Sequence, residues 1–258
     1  MARTAPFAGH PTLGIGLVSA WPLDETSGQR NDVHGTNHLQ SNNGVGSAAG
    51  KRANAASFIA ANSQYLSHVD NADLSIDGDK TFAAWVYRAT AGANMAILSQ
   101  RTSGNGAYQF YFDAADKLHA YLTDSNNASF SEPATAAAVM AGTWNLCIIW
   151  YDSSDKKLRV QMNDGTVAAG AALPNGPISS TQDFNVVRLA GSVYGDGRVD
   201  AALLADRVWT AQERSDLWNG GAGLFYDDPG IARFRFDSEG RPAVSKLTNV
   251  VLMTGQGG

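Results

Sequence analysis

Short runs in which hydrophobic and polar residues alternate recur along the chain, and turn-forming residues separate them. The clearest runs are Leu17–Trp21, 81–87, 107–112, 117–122, 144–151 and Lys157–Met162. Runs of period two predict strands, whereas the segments 113–117 and 152–156 and the Asn-Asp-Gly at 163–165 predict hairpin turns. Many short strands joined by such turns predict an antiparallel sandwich or barrel.

The run 81–87 is apolar on both of its faces. One face carries Phe82, Ala84 and Val86, and the other carries Ala83, Trp85 and Tyr87. A strand that is apolar on both sides belongs in the middle of a layered structure. The central strands are therefore predicted to bury Phe82, Trp85, Val86, Cys147, Ile149 and Val160. Segment 40–50 is rich in Ser, Asn, Gly and Ala, and it predicts a loop.

One helix is predicted, and it begins after Thr210. The sequence Thr-Ala-Gln-Glu at 210–213 matches a capping box, in which the threonine hydroxyl and the glutamate carboxylate satisfy two free backbone N–H groups. Leu217 and Trp218 supply an apolar side. The pair Gly220-Gly221 predicts the end of the helix, because glycine adopts the left-handed conformation at no steric cost.

Charge, hydropathy and cysteine count limit which partners are expected and whether the chain crosses a membrane or forms a disulfide. The chain has 24 acidic residues, four of them glutamates, and a formal net charge of −5. It has no basic stripe, so a nucleic-acid partner is not expected. No apolar run approaches the ~20 residues that span a membrane, and residues 1–11 lack the apolar block of a signal peptide. The single cysteine, Cys147, excludes an internal disulfide and predicts a buried strand thiol.

Several segments, taken in order, resemble a known family. They are GLVSAWPLDETSG at 16–28, DVHGTNHL at 32–39, Ser57-Phe58 with Tyr65-Leu66, TFAAWV at 81–86, 144–152, 159–165, and DGRVD at 196–200 with 203–218, which includes the short helix. Together they resemble the LamG-like jelly-roll family of the concanavalin A-like lectin/glucanase superfamily. The resemblance implies an all-β chain: an antiparallel two-sheet jelly-roll sandwich with one short helix near the C-terminal end of the domain. The sandwich would span 16–222, with an N-terminal extended arm at 1–15 and a C-terminal extension at 223–258.

The resemblance also raises the question of catalysis, because the superfamily includes β-glucanases. Retaining glycosidases need two carboxylates about 5–5.5 Å apart, and none of the four glutamates has a suitable neighbour on its strand. The pairs Asp113/Asp116 and Asp152/Asp155 lie in predicted hairpin loops, where aspartate is common because its side chain hydrogen-bonds to the backbone of the turn. The sequence therefore predicts a protein that is not an enzyme. The six tryptophans lie in predicted strands or in the helix, and core packing is favoured over sugar stacking for most of them.

A structural calcium site is predicted at Asp32, Gly35, Asn37 and Asp200. The first three lie close together in one loop, and oxygen-rich loops are what Ca²⁺ requires. The resemblance implies that the strand carrying Asp200 runs beside the opening strand, although Ala201 stands where the family often has glutamate. The alternative is an Asx-type turn in which Asp32 caps its own loop.

Two functions remain open, and a glycoside hydrolase is the least supported third. The first is a structural component of a phage or virus particle, of capsid-decoration or fibre type, with other protein subunits as partners in a homo-oligomer or capsid lattice. The second is an extracellular carbohydrate-binding or adhesion module. The alternating segment 231–237 and the apolar run 250–253 are predicted to contact another chain, or alternatively to fold back on the sandwich. The expected location is a virion surface or the extracellular space.

Overall fold

The computed structural model describes residue 7 and residues 9–102, 105–126, 128–189, 193–226, 235–236 and 242–243. The strands are β1 (Leu17–Trp21), β2 (Gln40–Asn42), β3 (Gly46–Ala49), β4 (Asn54–Phe58), β5 (Tyr65–His68), β6 (Lys80–Arg88), β7 (Met95–Thr102), β8 (Asn105–Phe112), β9 (Leu118–Thr123), β10 (Phe130–Ser131), β11 (Trp144–Asp152), β12 (Lys157–Met162), β13 (Ala168–Ala172), β14 (Phe184–Val186), β15 (Arg188–Leu189), β16 (Val193–Tyr194), β17 (Gly197–Ala205), β18 (Arg235–Phe236) and β19 (Pro242–Ala243). The α-helix is α1 (Ala211–Trp218), and short 3-10 helices cover Pro11–Gly14, Ala60–Asn62, Ala72–Leu74 and Asn219–Gly221.

Two large antiparallel sheets form the sandwich. Sheet I has the order β13-β12-β11-β6-β17-β4-β3, with β1 also paired to β17. Sheet II has the order β10-β9-β8-β7-β14-β5-β2. The predicted hairpin turns join β8 to β9, β11 to β12 and β12 to β13, and Asp116, Lys156 and Asn163 adopt the positive φ angles that tight turns require. The all-β, two-sheet jelly-roll prediction is confirmed.

The main core lies between the sheets, and the side chains of β6 alternate between the two sides of sheet I, as the sequence predicts. Phe82, Ala84 and Val86 join the core between the sheets, whereas Ala83 and Trp85 join a second apolar cluster on the outside of sheet I. All six residues predicted to be buried are at most 2% exposed: Phe82, Trp85, Val86, Cys147, Ile149 and Val160. Burial raises the pKa of the Cys147 thiol well above its ordinary value, so the thiol packs as an apolar group.

Segment 40–50 corrects one prediction, because it contains two strands where composition predicts a loop. β2 is the edge strand of sheet II, and β3 is the edge strand of sheet I. Neither strand contains a buried residue. Such strands are held by main-chain hydrogen bonds, so they lack the alternating pattern that would reveal them.

The helix α1 begins as predicted and ends slightly earlier. Both hydrogen bonds of the capping box at Thr210 and Glu213 are present. The helix ends at Trp218, because Asn219 already adopts the left-handed conformation with φ 47°, before Gly220. Glu213 also binds Arg207 through both carboxylate oxygens, at 2.7 and 2.8 Å. Arg207 in turn donates to the carbonyls of Thr12 and Ile15, which ties the helix to the N-terminal segment.

A terminal cover, defined as Phe7, residues 9–16, α1 and residues 224–226, lies on the outer face of sheet I. Phe7 and Leu13 are fully buried there, within the second apolar cluster. Trp85 of β6 stacks on Trp218 and Phe225, with ring centroids 5.4 and 6.5 Å apart. The part of the predicted arm that the structure describes is therefore packed on the sandwich.

Most of the predicted C-terminal contact region lies outside the described residues. Within it, β18 pairs with β19, and β18 falls inside the alternating segment 231–237. The run 250–253 lies outside the described residues. Among the described residues, no helix has the length and apolar character needed to cross a membrane.

Candidate functional site

The strands of sheet II align a row of side chains on its outer face. The register pairs Tyr121 with Gln109, Gln109 with Ser99, Ser99 with Asn185, Asn185 with Ser67, and Ser67 with Gln40. Residues directly opposite each other in antiparallel strands lie on the same face. Their chain neighbours Tyr108, Phe110, Leu122, Phe184 and Leu66 point into the core between the sheets. We call these six residues the transverse row; at the usual strand spacing it extends about 24 Å across the sheet.

A polar depression lies along this row. It encloses about 580 Å³, part of it open to solvent. It is lined by Ser99, Arg101, Thr181, Gln182, Asp183, Asn185 and Arg188. Its volume lies within the ~300–1,000 Å³ of small-molecule sites, but its lining is far more polar than most of those. A polar ligand with many hydroxyl groups suits such a lining.

Aromatic rings stand near both ends of the depression. Toward β10, Tyr121 stacks on Phe130 with centroids 5.0 Å apart, and Phe130 is 55% exposed. Toward β5, Tyr65 lies 6.1 Å from Tyr194. We call these pairs the Tyr121 platform and the Tyr65 platform. An arginine of the depression lies over each: Arg101 is 4.0 Å from the Tyr121 ring and Arg188 is 4.6 Å from the Tyr65 ring.

Two buried polar atoms of the depression have no hydrogen-bond partner. They are Oδ1 of Asn185 and Nε of Arg188. Asn185 is only 7% exposed, and its Nδ2 donates to the carbonyl of Asp183 at 2.8 Å, so the side chain is held in place. A buried polar atom without a partner costs free energy. A ligand that supplied a donor to Asn185 and an acceptor to Arg188 would remove that cost.

A hydrogen-bonded group borders the Tyr121 platform on β8 and β9. The Tyr111 hydroxyl donates to Glu132 Oε1 at 2.6 Å, and the Tyr111 ring stacks on His119 at 5.1 Å. His119 Nε2 lies 3.0 Å from Asp113 Oδ2. Burial, reinforced by the hydrogen bond to Glu132, raises the pKa of the Tyr111 hydroxyl above its ordinary value. This group therefore keeps a neutral, ordered tyrosine on the outer face.

Three of the four predicted calcium ligands lie together, in an Asx-type arrangement. Asp32 Oδ1 accepts from the backbone N–H groups of Ala20, His34 and Gly35, and Oδ2 accepts from that of Asn37, at 2.9 to 3.1 Å. These four bonds match the roughly four lone-pair sites of a carboxylate. A Cβ on Gly35 would lie 2.5 Å from the Val18 carbonyl, so the loop closes tightly. The geometry is that of the Asx-type alternative.

The fourth predicted ligand, Asp200, accepts a hydrogen bond from a different loop. Its Oδ2 accepts from the backbone N–H of Arg52 at 3.0 Å, and it lines a cavity with Asp24 beneath Phe225 and Tyr226. Burial raises the pKa of Asp200 to about 7, and the charge of Asp24 adds to this, although backbone N–H groups oppose it. Within the described ranges, no three His, Cys, Asp or Glu side chains are arranged to hold a metal ion. Calcium at these four residues stays a prediction.

The depression consists of residues that the sequence did not single out. Sequence reasoning considered sugar stacking only for the tryptophans, and four of these are buried: Trp21, Trp85, Trp150 and Trp209. Core packing is confirmed for those four. The Tyr121 platform does have a signal in the sequence. In the run 117–122, Tyr121 alternates with core residues, so its side chain is expected on the opposite face of the strand. Asn185 and Arg188 carry no such signal, because only pairing between distant strands brings them beside Ser99 and Arg101.

Solved structures with the same fold include binding domains and parts of enzymes. The binding domain of Paraclostridial Mosquitocidal Protein 1 matches with a TM-score of 0.66 and 13% identity, covering 80% of this chain and 52% of that one. This chain thus spans about half of that binding domain. Domain 4 of a GH43 extracellular arabinanase from Geobacillus stearothermophilus, in complex with arabinotriose, matches with a TM-score of 0.59 and 12% identity. The match covers 78% of this chain and 97% of that domain. The binding domain of Botulinum Neurotoxin DC in complex with SialylT matches with a TM-score of 0.63 and 8% identity, covering 80% of this chain and 52% of that one.

These likenesses show the lectin-like jelly-roll fold. No curated protein matches the chain in sequence. A family model, Laminin_G_3 of the concanavalin A-like lectin/glucanases superfamily, matches residues 60–213. Because this match spans more than half of the sequence, the chain belongs to the concanavalin A-like lectin/glucanase superfamily.

Proposed function

We propose that this protein binds carbohydrate, without catalysis, on the outer face of sheet II. The observation that carries the proposal is the polar depression between two aromatic platforms, with unpartnered buried atoms on Asn185 and Arg188. Sugars present apolar C–H faces, which pack on aromatic rings, and hydroxyl groups, which both donate and accept hydrogen bonds. Rings at the ends and polar groups between them match a short glycan laid along the transverse row.

The position of the terminal cover supports this assignment. Phe7 and Tyr226 contact each other, with centroids 5.6 Å apart, on the outer side of sheet I. Sheet II faces the opposite way, so the terminal cover does not occupy its outer face. Two of the similar solved structures carry a saccharide or SialylT in their complexes, which agrees with a binding role.

The test is a glycan microarray, followed by calorimetry with the glycan that binds best. The Tyr121→Ala variant removes one platform and is expected to weaken binding about ten-fold. Tyr87→Ala is the matched control, because Tyr87 packs on Trp144 at 5.5 Å and lies beneath Arg198 at 4.6 Å, but on sheet I. Equal loss in both variants, or loss only in Tyr87→Ala, would refute the assignment to sheet II.

A place on a phage or virus particle is a second candidate, with which a terminal cover confined to sheet I is compatible. A module held to a particle through its sheet I side would present sheet II outward. The partners would then be protein subunits of the particle. The test is to purify particles from the source by density gradient and probe them for this chain. Co-migration that survives high salt supports the role, and complete separation of chain and particles contradicts it.

A further inference from the structure

We propose that the depression on sheet II selects glycans that carry a carboxylate, which Arg101 and Arg188 bind. This inference rests on the proposed function and names the substrate class of the same site. Arg101 lies on β7 of sheet II and Arg188 on β15, which follows β14 in the chain, and both line the depression. The starting observation is that this region is locally basic in a chain whose formal net charge is −5.

The local charge is set by three side chains. Arg101, Arg188 and Asp183 are the charged residues that line the depression. Asp183 is exposed at the rim, whereas the two arginines are partly buried. Across the part of the chain that the structure describes, neither arginine forms an ion pair with a carboxylate. Among the described residues that line the depression, an anion therefore meets two cations and one carboxylate, that of Asp183.

Each guanidinium is held by an aromatic ring rather than by an acid. Arg101 lies over Tyr121 at 4.0 Å and Arg188 over Tyr65 at 4.6 Å. Cation–π packing orders an arginine without using its N–H groups. Those groups form a planar fork that matches a carboxylate with two parallel hydrogen bonds. The Nε of Arg188, buried and without a partner, is one such group.

The remaining lining fits the neutral part of the same ligand. Asn185 is more than nine-tenths buried, and its unpartnered Oδ1 is an acceptor for a sugar hydroxyl. Tyr121 and Phe130 supply an apolar surface beside Arg101. One saccharide unit that carries both a carboxylate and hydroxyls would satisfy Arg188 and Asn185 together. Such units occur in uronic and sialic acids.

The experiment compares acidic glycans with neutral counterparts of the same size. Calorimetry uses trigalacturonate against its methyl ester, and 3′-sialyllactose against lactose. At least one acid is expected to bind about ten-fold more tightly than its neutral partner, because hydrogen bonds to a charged group are the stronger ones. Its affinity is expected to fall as sodium chloride rises from about 50 to about 500 mM, because salt screens the charges.

Three variants connect this preference to the arginines. Arg101→Gln and Arg188→Gln are expected to weaken binding of the acid more than binding of the neutral glycan, so that the difference between the two disappears. Arg198→Gln is the matched control, because Arg198 also lies over a tyrosine, Tyr87, but on sheet I. Thermal melts of all three variants check that each is folded.

The outcomes separate the two proposals. Equal binding of acidic and neutral glycans, lost in Tyr121→Ala, would overturn the carboxylate preference and leave carbohydrate binding standing. A preference that survives both Arg101→Gln and Arg188→Gln would also overturn it. Absence of binding to every glycan on the microarray, or binding unaffected by Tyr121→Ala, would overturn the proposed function as well.

Discussion

Both large sheets of this sandwich are antiparallel, but their outer faces differ in polarity. In the middle of sheet I the outward residues are apolar, including Ala83, Trp85, Leu146 and Ile148, and the terminal cover buries them. On sheet II the outward positions of the transverse row are polar or aromatic, and the platforms beside them reach solvent. The outer face of sheet I thus forms a second apolar core, and the outer face of sheet II carries polar and aromatic residues.

This difference follows from the alternate residues of each strand. An antiparallel sheet can leave one face in water only when that face carries polar residues. A large apolar face would instead expose a patch that favours association, so sheet I needs a cover. The cover consists of Phe7, residues 9–16, α1 and residues 224–226, and it lies on sheet I and not on sheet II. Substitutions on the two faces should therefore affect different properties.

The largest expected effect is on the covered face. Trp85→Ala should lower the free energy of unfolding by about 3–5 kcal/mol, because the ring is 1% exposed and stacks on Trp218 and Phe225. Phe130→Ala, on the exposed face, should change it by less than about 0.5 kcal/mol. Urea denaturation measures both. Similar losses for the two variants would mean that the faces do not differ as described.

A pH effect of comparable size should come from Asp200, which the cover buries. Its pKa of about 7 in the folded protein lies above the ordinary value of 3.8. Because the folded state binds this proton more tightly, its stabilising contribution is full below about pH 4 and is lost as the pH rises through about 7. The loss amounts to roughly 4 kcal/mol.

The measurement is the free energy of unfolding from pH 4 to pH 8 for wild type and two variants. Asp200→Asn should remove most of this pH dependence, because an amide does not titrate. Asp183→Asn, an exposed residue of sheet II, should leave it unchanged. A wild-type profile that Asp200→Asn does not flatten would show that another group is responsible.

Calcium would act on the covered side as well, since His34 of the Asp32 loop contacts Tyr226 at 3.2 Å. A calcium site at Asp32, Gly35, Asn37 and Asp200 should stabilise the fold by about 2.7 kcal/mol at one hundred times Kd. Melting curves in EDTA and in calcium measure this for wild type and Asp32→Ala. A shift that is present in wild type and absent in Asp32→Ala supports the site. Superimposed wild-type curves would leave Asp32 with its four backbone N–H groups alone.

The smallest effect tests whether the faces are independent. Thr210→Ala removes the capping hydroxyl of α1 and should cost about 1 kcal/mol. Glycan affinity should not change, because α1 lies on the opposite side of the sandwich. Calorimetry on the folded variant checks this. A clear loss of affinity would show that the cover contributes to the binding face.

Much of the fold could be predicted from local pattern. The two apolar faces of β6 and the capping box at Thr210 depend on residues close together in the chain. The turns at 113–117, 152–156 and 163–165 likewise have local signals. The edge strands β2 and β3 could not be predicted, because their side chains are not buried.

The binding face was not predictable by the same means. It depends on register between strands far apart in the sequence, such as Ser99 beside Asn185 and Asn185 beside Ser67. The resemblance implied that Asp200 completes a calcium site with Asp32. In the structure each carboxylate accepts from backbone N–H groups of a different loop, and the calcium site stays a prediction.

Hydrogen–deuterium exchange with and without a saturating glycan tests most directly which face binds. The account predicts slower exchange in segments of sheet II that border the depression, residues 181–188 and 121–130. It predicts unchanged exchange in α1 and in residues 224–226 of the cover. Protection confined to the cover or to sheet I, with 181–188 unchanged, would contradict the assignment of the binding face.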